Sequence, residues 1–133
     1  MAAPNIVNVA TITGVTTYHA GIAITTGGRG ELGITTIVSN PASSGRVIKV
    51  NSLVACGIAN TTGLTLQYFD DVSHVGAAST VSIAMTAQVP VFSSLVVISK
   101  ENSIYLEENS CLGAFAEPSK GRLDIICSFE EIS

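Results

Sequence analysis

The chain has 133 residues, a net charge of -4 and only 12% charged side chains, which fits a single domain with one core. Its six Lys and Arg form no cluster, so there is no basic footprint to neutralise phosphates and no nucleic-acid partner is expected. No apolar run is long enough to span a bilayer, and Met1-Ala2-Ala3-Pro4-Asn5-Ile6 lacks the basic start and apolar core of a signal peptide; no membrane partner is expected, and the protein is expected to mature in the cytoplasm that made it.

Ile, Val and Thr supply 14, 14 and 13 residues, and their stiff side chains favour pleated sheet over helix. Charge this sparse, against about a quarter of residues in an ordinary soluble domain, predicts a Ser/Thr/Asn-rich surface that neighbouring subunits partly cover. Three cysteines, an odd number, fit free thiols in a reducing compartment.

In chain order, residues 1–30 read as an N-terminal arm, extended or β-like. Ile6, Val7, Val9 and Ile12 sit among Asn and Thr, residues 16–26 are weakly patterned, and Gly27-Gly28-Arg29-Gly30 breaks the run. The arm is expected to lie on a neighbouring subunit. Residues 31–133 read as the folded domain.

Leu32, Ile34, Thr36 and Val38 alternate as a first strand, and Asn40-Pro41-Ala42-Ser43-Ser44-Gly45 is a turn by composition. In the next run the even positions Ile48, Val50, Val54, Cys56 and Ile58 are expected to share a face, with a bulge or bend at Asn51-Ser52. Asn60-Thr61-Thr62-Gly63 predicts a hairpin into Leu64, Leu66 and Tyr68, which alternate with Thr65, Gln67 and Phe69. After the loop Asp70-Asp71-Val72-Ser73-His74, Val81, Ile83 and Met85 mark a half-buried strand ending at Pro90.

Leu95 to Ile98 is continuously apolar, as expected of a strand covered on both faces. Ile104 and Leu106 oppose Tyr105; Glu108-Asn109-Ser110 is a tight turn into Leu112, Ala114 and Ala116; residues 117–121 turn again. In the closing run Leu123, Ile125, Cys127 and Phe129 share one face, against Asp124, Ser128 and Glu130. Ile126 falls on the outer face, which implies partial cover there. From Leu32 onward, about eight strands with a turn every 8–12 residues predict an all-β, jelly-roll-like antiparallel sandwich.

The residues that carry chemistry do not assemble into a catalytic constellation, and no enzyme, cofactor or metal is expected. Asp70-Asp71, Glu107-Glu108 and Glu130-Glu131 are adjacent pairs, and neighbours on a strand point to opposite faces, so none is a ready acid/base dyad. A cation in the Asp70-Asp71 loop has to be weighed against a plain solvated turn, the stronger reading. Cys56, Cys111, Cys127 and His74 lack zinc-ligand spacing, and Cys56 and Cys127 both fall on expected core faces. His19 and His74 have no neighbour that orients a base or nucleophile. Thr26-Gly27-Gly28-Arg29-Gly30-Glu31 lacks the Lys-Ser/Thr end of a phosphate loop. Tyr18, Tyr68, Tyr105 and Phe69 are assigned to core or subunit contacts rather than to sugar stacking.

Four stretches carry a resemblance across nearly the whole chain: residues 1–9, the run Ser44-Gly45-Arg46-Val47-Ile48-Lys49-Val50-Asn51-Ser52-Leu53, residues 95–108, and the ending Leu123 to Ser133. Together they resemble small virion structural proteins of tailed phages of marine bacteria, especially cyanophages. Relatives tend to carry Gly-Asp in the turn where this chain has Asn109-Ser110, a change that Asn's tolerance of left-handed backbone accommodates. The resemblance implies a virion component, either a capsid decoration or cement protein that binds the head shell or a neck, tail or fibre-associated subunit. It implies two partners: copies of itself, a homotrimer being favoured, and the major capsid protein or another virion protein. The expected subunit or shell contacts are Ile6, Val7, Val9, Ile12, Tyr18, Tyr105 and Ile126. A surface carbohydrate-binding module is the second alternative, and it predicts Tyr68 or Tyr105 exposed beside polar groups.

Overall fold

The computed structural model describes residues 9–23, 34–73, 80–117 and 122–133. Nine strands follow in order: β1 (Ile12–Ala23), β2 (Thr35–Asn40), β3 (Val47–Ala59), β4 (Thr62–Phe69), β5 (Thr80–Val89), β6 (Ser94–Ile98), β7 (Ile104–Leu106), β8 (Ser110–Glu117) and β9 (Arg122–Ile132). One sheet runs β1-β9-β3-β6, with β7 also on β3; the other runs β2-β8-β4-β5. All strand pairs are antiparallel. A single 3-10 turn, Lys100–Asn102, separates β6 from β7 along the same edge of β3.

The chain changes sheet at every connection except β4 to β5 and β6 to β7. With β6 and β7 taken as one interrupted strand, this is the eight-strand jelly roll of two four-strand sheets. The fold class read from periodicity is therefore the observed one. The hairpin expected at Asn60 is not a hairpin. The turn at Asn60 and the turn at Asn109 both carry the chain across to the other sheet. Both residues take the left-handed backbone, with φ of 57° and 61°, which Asn adopts at low steric cost.

The division at residue 30 does not separate an arm from the sandwich. Ile12–Ala23 is the first strand of the jelly roll, paired with β9 from Ile12↔Ile132 to Ala23↔Arg122. Its Val, Ile and Thr content suits a pleated edge, and its alternation is weak because half-buried Thr17 and His19 stand on its inner side while apolar Ile12 and Tyr18 face out. Ile6 and Val7 lie outside the described residues.

The core lies between the sheets. Ile48, Val50, Leu53 and Ala55 of β3 and Leu123, Ile125 and Cys127 of β9 meet Leu64, Leu66, Leu112, Ala114 and Ala116 of the second sheet. A register shift between Val50 and Ser52 is the bulge expected there. It reverses the parity of the strand, so Leu53 and Ala55 point inward while Val54, Cys56 and Ile58 do not. The even positions of β3 therefore do not share one face, and Cys56 is not a core thiol.

At one end of the sandwich, buried Asn40 ties three segments together. Its amide donates to the carbonyls of Arg46 at 2.8 Å and Leu106 at 3.0 Å, and its oxygen accepts from Ser44 Oγ at 2.6 Å. Asn40→Ala strands two carbonyls in a buried site, and should lower the unfolding free energy by about 3 kcal/mol in a denaturant titration. Removing residues 1–23 strips β9 of its edge partner, and the truncated chain is expected to lose its cooperative thermal transition by circular dichroism.

Candidate functional site

The two sheets differ in how their outer sides are covered. In the second sheet, β4 and β8 are buried on both faces almost throughout. Outside the main core, Phe69 pairs with Cys111, Gln67 with Gly113, and Thr65 with Phe115, and all six are buried. Gly113 has no Cβ because one would collide with the Ile34 side chain packed against it. After β4 the chain folds back over the start of β8: the Cys111 thiol donates to the Asp71 carbonyl at 3.8 Å.

Most of the outer side of the first sheet is open, although Val47 and Ile132 at one end of it are buried, and its rows follow from the register. Directly opposed residues share a face. Gly14, Glu130, Lys49 and Tyr105 make a charged row, and Thr16, Ser128 and Ser52 a hydroxyl row. The next row is wholly apolar and crosses four strands: Tyr18, Ile126, Val54 and Val96. Tyr18 is 78% exposed, Val96 60% and Ile126 49%. Val96 corrects the expectation that β6 is covered on both faces; Leu95 and Val97 pack toward the core and Val96 does not.

Four of the residues expected to make contacts, Ile12, Tyr18, Tyr105 and Ile126, thus share one surface. Val9 is half-buried just before β1. The sequence reading missed Val54 and Val96, because the bulge hides their parity, and it missed Phe92 in the short link between β5 and β6. Phe92 is 86% exposed.

Beside the apolar row, a groove of about 220 Å³ opens between β1, β9 and β3. Tyr18, Val54 and Ile126 form its apolar wall; His19, Cys56 and Asp124 also line it. Asp124 Oδ1 accepts a hydrogen bond from the Gly21 backbone amide at 2.8 Å, and this holds the irregular end of β1 against β9. Among the described residues no three His, Cys, Asp or Glu side chains converge tightly enough to hold a metal ion.

The paired acids do not converge either. Asp71 Oδ1 accepts from the amide and hydroxyl of Ser73, capping its own turn. Glu108 accepts from the Gly45 amide, and Glu131 pairs with Arg46 at 2.8 Å while Glu130 faces Lys49. His74 lies outside the described residues. No protein-family model matches the chain, and no curated protein matches it.

Two of the three thiols are buried and held protonated. Burial raises Cys127 to about 12; burial, and then the nearby Asp71 charge, raises Cys111 to about 11. Cys56 is half-buried at the groove. Since the thiolate is the reactive form, a maleimide at mildly alkaline pH should modify Cys56 alone in the native protein. All three should react in denaturant, and peptide mass mapping checks the assignment.

Proposed function

We propose that this chain is a phage virion structural protein, a capsid decoration or cement protein that binds and stabilises the head shell through the open face of its first sheet. One observation carries the reading: an apolar row of Tyr18, Ile126, Val54 and Val96 stands uncovered across four strands, while the central strands of the other sheet are buried on both sides. A contiguous apolar strip with a polar rim marks a protein-contact surface. The jelly roll supports the reading at the level of architecture, since viral capsid domains and lectins both use it. The resemblance of the four stretches to virion proteins of marine tailed phages supports the setting.

The same surface serves a neck, tail or fibre-associated subunit equally well. A carbohydrate-binding module draws on a different observation: Tyr105 is 46% exposed and stands opposite Lys49, whereas Tyr68 packs against the core.

Immunogold labelling of virions of a tailed phage that encodes the chain separates heads from tails, with labelled heads expected. Ile126→Glu and Val96→Glu change exposed positions, so folding should shift by no more than about 0.5 kcal/mol. Binding of the purified protein to the particle should fall at least about tenfold. A strictly monomeric protein with no affinity for the particle overturns the reading, and a glycan-array hit lost in Tyr105→Ala replaces it with the carbohydrate one.

A further inference from the structure

Phe92 is the most exposed large apolar side chain among the described residues, and its backbone takes the left-handed conformation, φ 61°. The other described positive-φ positions are Ser43, Asn60, Asn109, Gly21 and Gly45, which tolerate it, and the β-branched Thr86, which like Phe92 does not. A bulky aromatic there is sterically disfavoured, and such outliers gather where function holds them.

The link that carries Phe92 is tightly fixed. The Phe92 amide donates to the Gly57 carbonyl at 2.7 Å, the Gly57 amide to the Ser93 carbonyl at 2.9 Å, and Ser93 donates twice to the Pro90 carbonyl. Gly57 lacks a Cβ because one would lie 2.6 Å from that same Pro90 oxygen. The ring is therefore presented to solvent on a rigid support. Gly57 directly follows Cys56, which lines the groove, so the protruding ring and the groove flank the same stretch of β3.

The two match in size and chemistry. A cavity of about 150 Å³ with apolar walls already accepts a benzene ring. The groove holds about 220 Å³, with Tyr18, Val54 and Ile126 as its apolar wall. We infer that a second copy of this chain covers the groove, seating its Phe92 ring between Tyr18, Val54 and Ile126. A knob and a hole on one chain satisfy each other in any closed ring of copies, and an aromatic anchor in a desolvated pocket is the usual centre of such a contact. This rests on the assembly reading above and names the contact within it.

The test compares the full chain with Phe92→Asn by sedimentation equilibrium and thermal melting. Asn accommodates the left-handed backbone, so the melting temperature should hold or rise while self-association weakens at least about tenfold. A purely structural Phe92 gives the opposite pair of results. In parallel, p-benzoylphenylalanine replaces Phe92 in a mixture of isotopically light and heavy chains. Crosslinks between light and heavy chains at residues 18, 54 or 126 support the contact; crosslinks within one chain, or elsewhere on the partner, overturn it. Phe92→Asn that associates as tightly as the parent chain overturns this contact alone. A parent chain that is monomeric throughout overturns both the contact and the self-assembly on which it rests.

Discussion

The register shift after Val50 decides which side of β3 meets water. Before it, Ile48 and Val50 point into the sandwich; after it, Leu53 and Ala55 do. One extra residue thus keeps the inner face apolar along the whole strand and moves Val54 and Cys56 to the outside. Because β3 lies between β9 and the β6/β7 edge, the displaced side chains complete rows that begin on β1. Without the bulge, Val54 would pack inward, the row from Tyr18 to Val96 would be broken, and the groove beside it would lose a wall. The exposed apolar row and the core are therefore two outcomes of one backbone irregularity.

That asymmetry also revises what the low charge means. Part of the charge deficit needs no partner at all. From Ser110 to Ala116, β8 has no charged residue, and both its faces are covered within a single chain. Much of the apolar composition is absorbed there, behind Phe69, Cys111 and Phe115. The portion left for another molecule is smaller: chiefly the open row on the first sheet and the ring of Phe92, besides Val81 and Met85 on the β5 edge of the second sheet. A narrow, localised strip is a stronger indication of specific contact than a low average charge, because single exposed apolar residues are ordinary on any surface.

The elements that were legible in sequence are those whose pattern is purely local. The alternation of Leu123, Ile125, Cys127 and Phe129 survives unchanged in β9 because that strand keeps a continuous inward parity through those positions. The bend near Asn51-Ser52 was legible, but its effect on parity was not, since composition marks an irregularity without counting the inserted residue. Composition marks the turns at Asn60 and Asn109, but the pattern around Asn60 predicts a hairpin where the chain crosses to the other sheet. Left-handed Asn reverses a chain equally well within a sheet or between sheets, and the choice depends on strands distant in sequence. Residues 12–23 were taken for an arm for the same reason. Among the described residues β1 pairs along its length with β9, in the closing stretch of the chain, and nothing near β1 announces that pairing.

The open face has two ends with different chemistry, and this bears on how one surface could serve more than one partner. The apolar row and the groove lie toward Gly57 and the Phe92 link, while Glu130, Lys49 and Tyr105 lie two rows away toward Val47. On the proposal that copies meet at Phe92, each copy hides the greasy end of its sheet against the next. The polar end then stays open, with an aromatic ring and charges of both signs available to a shell or a glycan. Charged rows contribute mainly to orientation and encounter rate, whereas the desolvated apolar contact supplies most of the affinity. Such a division keeps the adhesive part of the surface out of water, which helps a weakly charged protein to remain dispersed.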